Sequence, residues 1–547
     1  MVEEEEVVIV GAGIAGLATA VALKRLGIRA LLLERAESLR STGATLTLFS
    51  NAWLAVDALA VSHKLTSIYS PVKRALVTNI QTGATQEVSF AKSGPRSVHR
   101  KSLLETLANE LPIDTIRFSS KVASVETQTQ ENSPITIIHL NDGTVIKAKM
   151  LIGCDGVHSM VGNWLGLATP FDSGRSRIRG LAVFPQGHGL NHEFRQFVDV
   201  GMRAGFVPLT DKDIYWFFVG QSPPNGENLA GNPEQIQREL LDNYGKHLPP
   251  LYLDVVRHCD LSTLTRAPLM FRKPWDIMFK KLSKDNITVA GDAMHPMTPD
   301  LGQGGCAALE DAVVLGRHIG EVLKTKNGKL DSRDIGEAID GYVKERRWRV
   351  TWLVAGSYIS GWAQQGGSNW WMKFVRDVVF YRFLFSKFVD AAYYDCGKLP
   401  SVSISSESKS TSKLDEVSKT KDNITVAGDA MHPMTPDLGQ GGCAALEDAV
   451  VLGRHIGEVL KTKNGKLDSR DIGEAIDGYV KEKRWRVTWL VAGSYLSGWA
   501  QLVKKFFRDV VFYRFLFSKF VSAAYYDCGK LPSVSISIES KSSSKID

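Results

Sequence analysis

Metal and disulfide patterns are missing from this 547-residue chain. Its six cysteines, Cys154, Cys259, Cys306, Cys396, Cys443 and Cys528, include no CxxC pair, and its 12 histidines include no HExxH. No metal site is expected, and the thiols are expected to be reduced, as in a cytoplasmic protein. GxSxG is absent too, which removes the usual signature of a serine hydrolase. Charge of one sign is scarce: 66 Lys+Arg against 59 Asp+Glu leaves +7, and the aromatic residues are not interleaved with a basic cluster. Nucleic-acid binding is therefore not expected. The longest mostly apolar stretches, such as Val350 to Ala363, fall short of the roughly 20 residues that span a bilayer, so no transmembrane segment is expected. Met1-Val2 is followed by Glu3 to Glu6, unlike a secretory or transit leader, and the mature chain is expected to start here.

What the chain does contain is a long internal repeat. Residues 285–363 recur at 422–500 with an offset of 137, and the 79 paired positions differ only at Arg346 against Lys483 and Ile359 against Leu496. Between the copies, residues 401–421 hold eight serines in 21 positions and little to bury, which reads as a flexible linker. Residues 1–400 should then be one complete unit, and 422–547 a partial duplicate of 285–409.

The amino-terminal motif sits in an informative context. The apolar run Glu6 to Val10 reads as a strand, Gly11-Ala12-Gly13-Ile-Ala-Gly16 opens a helix, and a second strand ends at Glu34, 18 positions beyond Gly16. A GxGxxG placed between strand and helix with a following acid is the dinucleotide fingerprint. Gly11 permits the turn, Gly13 lets the backbone approach a pyrophosphate, Gly16 permits close packing, and Glu34 accepts from ribose hydroxyls. Glu34 also disfavours a 2′-phosphate at this site, because the charges repel. The fingerprint by itself does not separate FAD from NAD.

Two further motifs do. Leu151-Ile-Gly-Cys154-Asp155-Gly156-Val-His158-Ser159 follows a strand-like hairpin, and Gly291-Asp292-Ala293-Met-His295-Pro296-Met-Thr-Pro299-Asp-Leu-Gly302-Gln303-Gly304-Gly305 precedes a helix. With these three motifs, residues 5–400 resemble the single-component FAD-dependent aromatic hydroxylases, in particular plant monooxygenases similar to salicylate hydroxylase. The resemblance implies an α/β fold: a discontinuous Rossmann-like FAD-binding domain over 1–175 and 285–345, with an inserted, mainly antiparallel substrate domain over 176–284. A substrate-domain strand is expected near 76–94 and a helical region over 346–400.

It also implies FAD as cofactor, NADPH or NADH as cosubstrate, and dioxygen. The expected reaction is hydroxylation or epoxidation of a small apolar compound, expected to be aromatic, through a flavin C4a-hydroperoxide. The implied cofactor-binding residues are Gly11, Ala12, Gly13, Gly16, Glu34, Arg35, Gly43, Arg100, Asp155, Gly156, Asp292, Pro299, Gly302, Gln303 and Gly304. No catalytic base is assigned, and His158 and His295 are read first as packing residues.

In the middle region, Arg203, Phe206, Tyr215, Trp216 and Phe218 face either a pocket or a core. Two departures stand out: Gly162 where the family commonly has arginine, and Gly305-Cys306 where many members have Ala-Asn. Two other readings of the chain stay open: a flavin oxidase or reductase without oxygen insertion, and a weakly catalytic FAD-binding regulatory protein. The basic, apolar segment Phe374 to Phe388 is compatible with peripheral membrane contact, and the duplicate with oligomerisation.

Overall fold

The computed structural model describes residues 2–39, 45–90, 94–130, 133–222, 232–326, 331–364 and 394–400, and in the second copy 425, 427–428, 441–462, 467–468, 470–483 and 486–487. The chain divides into two compact units, Met1–Ser406 and Glu407–Asp547.

The first unit is built on two sheets. In the first, the strand Val2–Val10 pairs in parallel with Ala30–Leu33 on one side and Val145–Gly153 on the other, and Ile116–Arg117 and Ile287–Val289 extend the parallel order at either end. Val7 to Val10 and Ala30 to Leu33 are buried at every position, as strands covered on both faces require. One cover is the helix Ile14–Arg25, buried continuously from Ala15 to Leu23, and it packs on the helix Gly304–Thr325. Small residues set that approach: a Cβ at Gly316 would come 3.0 Å from Ala22 Cβ. The hairpin Val122–Gln130 with Ser133–Leu140 joins this sheet in antiparallel fashion.

The second sheet has seven strands in the order Cys259–Phe271, Phe171–Val183, Asp213–Gln221, Met202–Pro208, Phe194–Asp199, Arg74–Asn79 and Thr85–Ser89. All neighbours are antiparallel except Phe194–Asp199 with Arg74–Asn79, so the sheet is completed from a distant part of the chain. Its outer face buries Phe206, Trp216 and Phe218 against helices Pro233–Tyr244 and Pro250–Arg257. A helix of 33 residues, Ser332–Gln364, follows.

The second unit contains the helix Gly441–Thr462 and helical residues 470–483. No helix among the described residues is long and apolar enough to cross a membrane. The segment Phe374 to Phe388 lies outside the described residues.

Candidate flavin site

One cavity of about 810 Å³ lies between the sheets, lined by the glycine loop, the Asp155 turn and the Asp292–Gly305 segment together with one face of the seven-stranded sheet. The three fingerprint glycines meet different physical demands. Gly11 has φ +101°, and a Cβ there would press on the Cys154 carbonyl oxygen at 2.6 Å. A Cβ at Gly16 would overlap the Gly11 carbonyl oxygen, so Gly16 holds the helix against its own turn and does not line the cavity. At Gly13 a Cβ would meet nothing within 4 Å. Only a ligand could make that position need glycine. Gly13 is also the N-cap of its helix and offers no side chain to the first-turn amides, which leaves them available to an anion.

Glu34 ends its strand at the same loop, buried, with Oε2 accepting from the Ala12 amide at 2.8 Å and Oε1 from the Ala36 amide at 2.9 Å. Arg35 lines the cavity beside it, and Arg100 does so from the first turn of the helix Arg100–Ala108. Gly43 lies outside the described residues.

Asp155 and Gly156 also line the cavity, but the Asp155 carboxylate caps the next helix, accepting from the Ser159 hydroxyl, from the Met160 amide at 2.7 Å and from the Val161 amide at 3.3 Å. Gly162, inside that helix, is pressed from both sides. A Cβ would lie 3.1 Å from the Ala293 carbonyl oxygen, and the buried guanidinium of Arg272 donates to that same oxygen at 3.3 Å.

Asp292 opens onto the cavity. Burial pushes its carboxyl above the ordinary value, with His295, Arg100 and Arg177 pulling it back. The loop beneath is clamped from behind: Asp311 accepts from the Gly291 amide at 2.7 Å, from His295 Nε2 at 2.6 Å and from Arg346 Nε at 2.7 Å. Burial alone would raise the Asp311 carboxyl, but His295 and Arg346 outweigh it and hold it low. His295 is thus fully buried in packing, whereas His158 is exposed at the cavity. Pro299 starts a short 3-10 turn that ends on Gly302 at φ +67°, and Gln303 precedes the helix Gly304–Thr325. Gly302, Gln303 and Gly304 all face the cavity. Cys306 lies behind them with its thiol pushed up to about 12 by burial.

The donor set fits a flavin dinucleotide. The space a Cβ at Gly13 would fill is open. Thr45 Oγ1, Thr298 Oγ1 and Gln303 Nε2 are buried, have no protein partner and belong to cavity-lining residues, as a polar heterocycle would require. On the substrate sheet, strand alternation separates the five middle-region candidates. Arg203 and Tyr215 face the cavity, while Phe206, Trp216 and Phe218 are in the outer core. Phe194, Gln196 and Phe217 line the cavity as well and were not singled out from the sequence, although period-two alternation around Tyr215 points to Phe217.

A parallel dinucleotide sheet, an inserted substrate sheet and a shared cavity define a flavin-dependent oxidoreductase. The chain belongs to the family described as FAD binding domain, which it matches over residues 4–357 and 401–482. It is 42% identical over 412 residues to Monooxygenase 2 of Arabidopsis thaliana, covering 73% of this chain and 99% of that protein, and 38% identical over 406 residues to Monooxygenase 1 of the same plant, covering 73% and 100%. The crystal structure of Klebsiella pneumoniae HpxO with FAD and uric acid is similar at a TM-score of 0.60 and 25% identity, covering 71% of this chain and 96% of that one. The protein is an FAD-dependent monooxygenase, as the three motifs lead one to expect.

Proposed function

We propose that this enzyme uses NAD(P)H and dioxygen to hydroxylate or epoxidise a small, largely apolar compound seated on Phe194, Tyr215 and Phe217. The observation that carries this reading is a shared cavity walled on one side by the flavin-directed loops and on the other by an aromatic sheet face. Bound FAD supplies the two-electron and dioxygen chemistry, and the protein supplies position, dry surroundings and fixed dipoles.

In this reading the Gly11–Gly13 amides hold the pyrophosphate and Glu34 the adenosine ribose. Arg100 and Asp292 hold the chain that links the two ends of the cofactor. Gln303 Nε2, Thr298 Oγ1 and the amino end of the Gly304–Thr325 helix face the ring, where a helix terminus favours negative charge. Asp155 acts mainly through the backbone it caps. A cytoplasmic location agrees with the free thiols of Cys154, Cys259, Cys306 and Cys396.

The test is to incubate purified enzyme with NADPH or NADH, air and a panel of aromatic and isoprenoid compounds, reading products by mass spectrometry. The expected result is a gain of one oxygen on at least one compound with matched cosubstrate use. Dioxygen consumption with every compound recovered unchanged would overturn it in favour of an oxidase.

A further inference from the structure

Every exposed Phe, Trp and Tyr among the described residues lies on one surface of the first unit. Phe171, Trp275, Phe279, Trp352, Tyr358 and Trp362 come from three separate stretches of chain, and the other described aromatic rings of these types are buried or half-buried. Contacts join the three stretches. The buried ring of Phe271 packs on Phe171 at 5.8 Å and stacks on Tyr358 at 4.7 Å between ring centres. Lys273 Nζ lies 5.0 Å from the Phe171 ring centre and 6.0 Å from that of Trp275. The short helix Pro274–Phe279 is fastened to Ser332–Gln364 by Arg347, whose Nη1 donates to the carbonyls of Ile277, Met278 and Lys280 at 2.7, 2.9 and 2.8 Å.

Helical spacing aligns the long helix's share of this surface. Trp352, Ile359 and Trp362 fall within about 80° of one another around the axis and are exposed, while Val350, Leu353, Val354 and Ser357 on the other sides are buried. Phe279 is 83% exposed, so its ring adds nothing to the core of this unit. The charge nearby is largely of one sign. Residues 271–284 hold Arg272, Lys273, Lys280, Lys281 and Lys284 against Asp276 alone, and residues 346–364 contain no carboxylate. Lys280, Lys281 and Lys284 are exposed, and Asp172, next to Phe171, accepts from the Gly174 amide at 2.9 Å. The surface adjoins the sheet side of the cavity: Phe271 directly continues Ala267 to Met270, which line it, and Gln364 accepts from Gln196 and Arg203 of the cavity wall.

The residue types indicate what this surface meets. Lysine is depleted from protein–protein contacts, and a two-fold pairing of this surface with itself would set like charges face to face. Tryptophan and phenylalanine beside lysine suit a lipid headgroup layer instead, with the rings at the edge of the acyl chains and the ammonium groups against anionic headgroups. We propose that this surface docks the protein peripherally on an anionic bilayer, inserting Trp275, Phe279, Trp352 and Trp362 and bringing the sheet side of the cavity next to the lipid.

The test floats the full-length, FAD-loaded protein with vesicles of phosphatidylcholine alone or of equimolar phosphatidylcholine and phosphatidylserine. Wild-type protein is expected to float with the mixed vesicles, its tryptophan emission shifted to the blue, and to bind the phosphatidylcholine vesicles roughly tenfold or more weakly. Phe279→Ser/Trp352→Ser and Lys280→Glu/Lys281→Glu are each expected to lower binding to the mixed vesicles by roughly tenfold or more while keeping FAD content. All four positions are exposed, and the glutamate variant leaves the rings in place, so it serves as the probe if the serine variant fails to fold. Wild-type protein left unbound by both kinds of vesicle would overturn the proposal, as would variants that float as the wild type does. A dimer formed by the wild type and lost in the serine variant, seen by sedimentation velocity and without vesicle binding, would also overturn it and give the surface to a second copy of the chain. Binding is read without turnover, so its outcome is independent of the reaction proposed above.

Discussion

The two copies of the repeated segment share their local architecture but not their surroundings. In the first, Gly291 N donates to Asp311 at 2.7 Å; in the second, Gly428 N donates to Asp448 at 2.8 Å, and both glycines have φ +62°. Glu345 accepts from Arg317 and His318 as Glu482 does from Arg454 and His455, at matching distances. Yet Leu309 is fully buried while its counterpart Leu446 is 72% exposed, and buried Cys306 corresponds to exposed Cys443. The difference lies in what is packed nearby. The first copy's helix is covered by Ile14–Arg25 and Ser50–Ala58, elements that the duplication did not carry along. A helix hairpin is thus specified locally, whereas a flavin site is specified by the half of the chain that precedes it.

The one substitution in the core of the repeat sharpens this. Arg346, fully buried, reaches Asp311, Glu310 at 2.6 Å and the Ala307 carbonyl at 3.2 Å, with the Tyr394 ring centre 5.2 Å away. Lys483 reaches Glu447 at 2.9 Å and Asp448 at 3.1 Å with a single ammonium.

The largest asymmetry should follow removal of the clamp carboxylate. Asp311→Ala is expected to cost about 3–5 kcal/mol by breaking one of the two buried pairs of Arg346 and leaving the Gly291 amide and His295 without their acceptor, and to strip most bound flavin. Asp448→Ala should leave flavin content unchanged; denaturant titration and absorbance read both, and equal flavin loss would break the comparison. Next in size, Arg346→Lys writes the second copy's residue into the first. It should cost about 1.5–3 kcal/mol through lost charge-assisted hydrogen bonds, measured as a shift in unfolding midpoint.

A smaller effect appears in acid. Burial would raise the Glu345 carboxyl, but hydrogen bonds from His318, Tyr394 and Arg317 hold it down at about 2. A depressed carboxylate stabilises the fold fully above its unfolded value of about 4.3, and that contribution is lost as pH falls through the folded value. Glu345→Gln should therefore flatten the stability–pH curve of the first unit between those limits, and an unchanged slope would remove the assignment. Smallest, because it leaves the fold intact, is thiol labelling: Cys443 should react in the native chain and Cys306 only after unfolding, as peptide mapping would show.

Legibility in the sequence follows the same division. The fingerprint, the Asp292–Gly304 loop and the helix after it were readable because each is a contiguous stretch in which glycines and an acid recur at a fixed spacing. The substrate wall was not, because the pleat assigns neighbours to opposite faces: Tyr215 went to the cavity, and Trp216 and Phe218 to the outer core. That a strand near 76–94 belongs to the substrate sheet came from the family resemblance, and its parallel pairing of Arg74–Asn79 with Phe194–Asp199, across more than a hundred residues, is encoded by no local pattern.

The central claim is that the first copy completes the flavin site and the second adds none. Flavin stoichiometry and NAD(P)H-driven turnover, measured on the full chain and on a chain truncated after Ser410, test it most directly. The account predicts one FAD per chain in both and comparable turnover; two FAD per full-length chain, or a folded but inactive truncation, would contradict it.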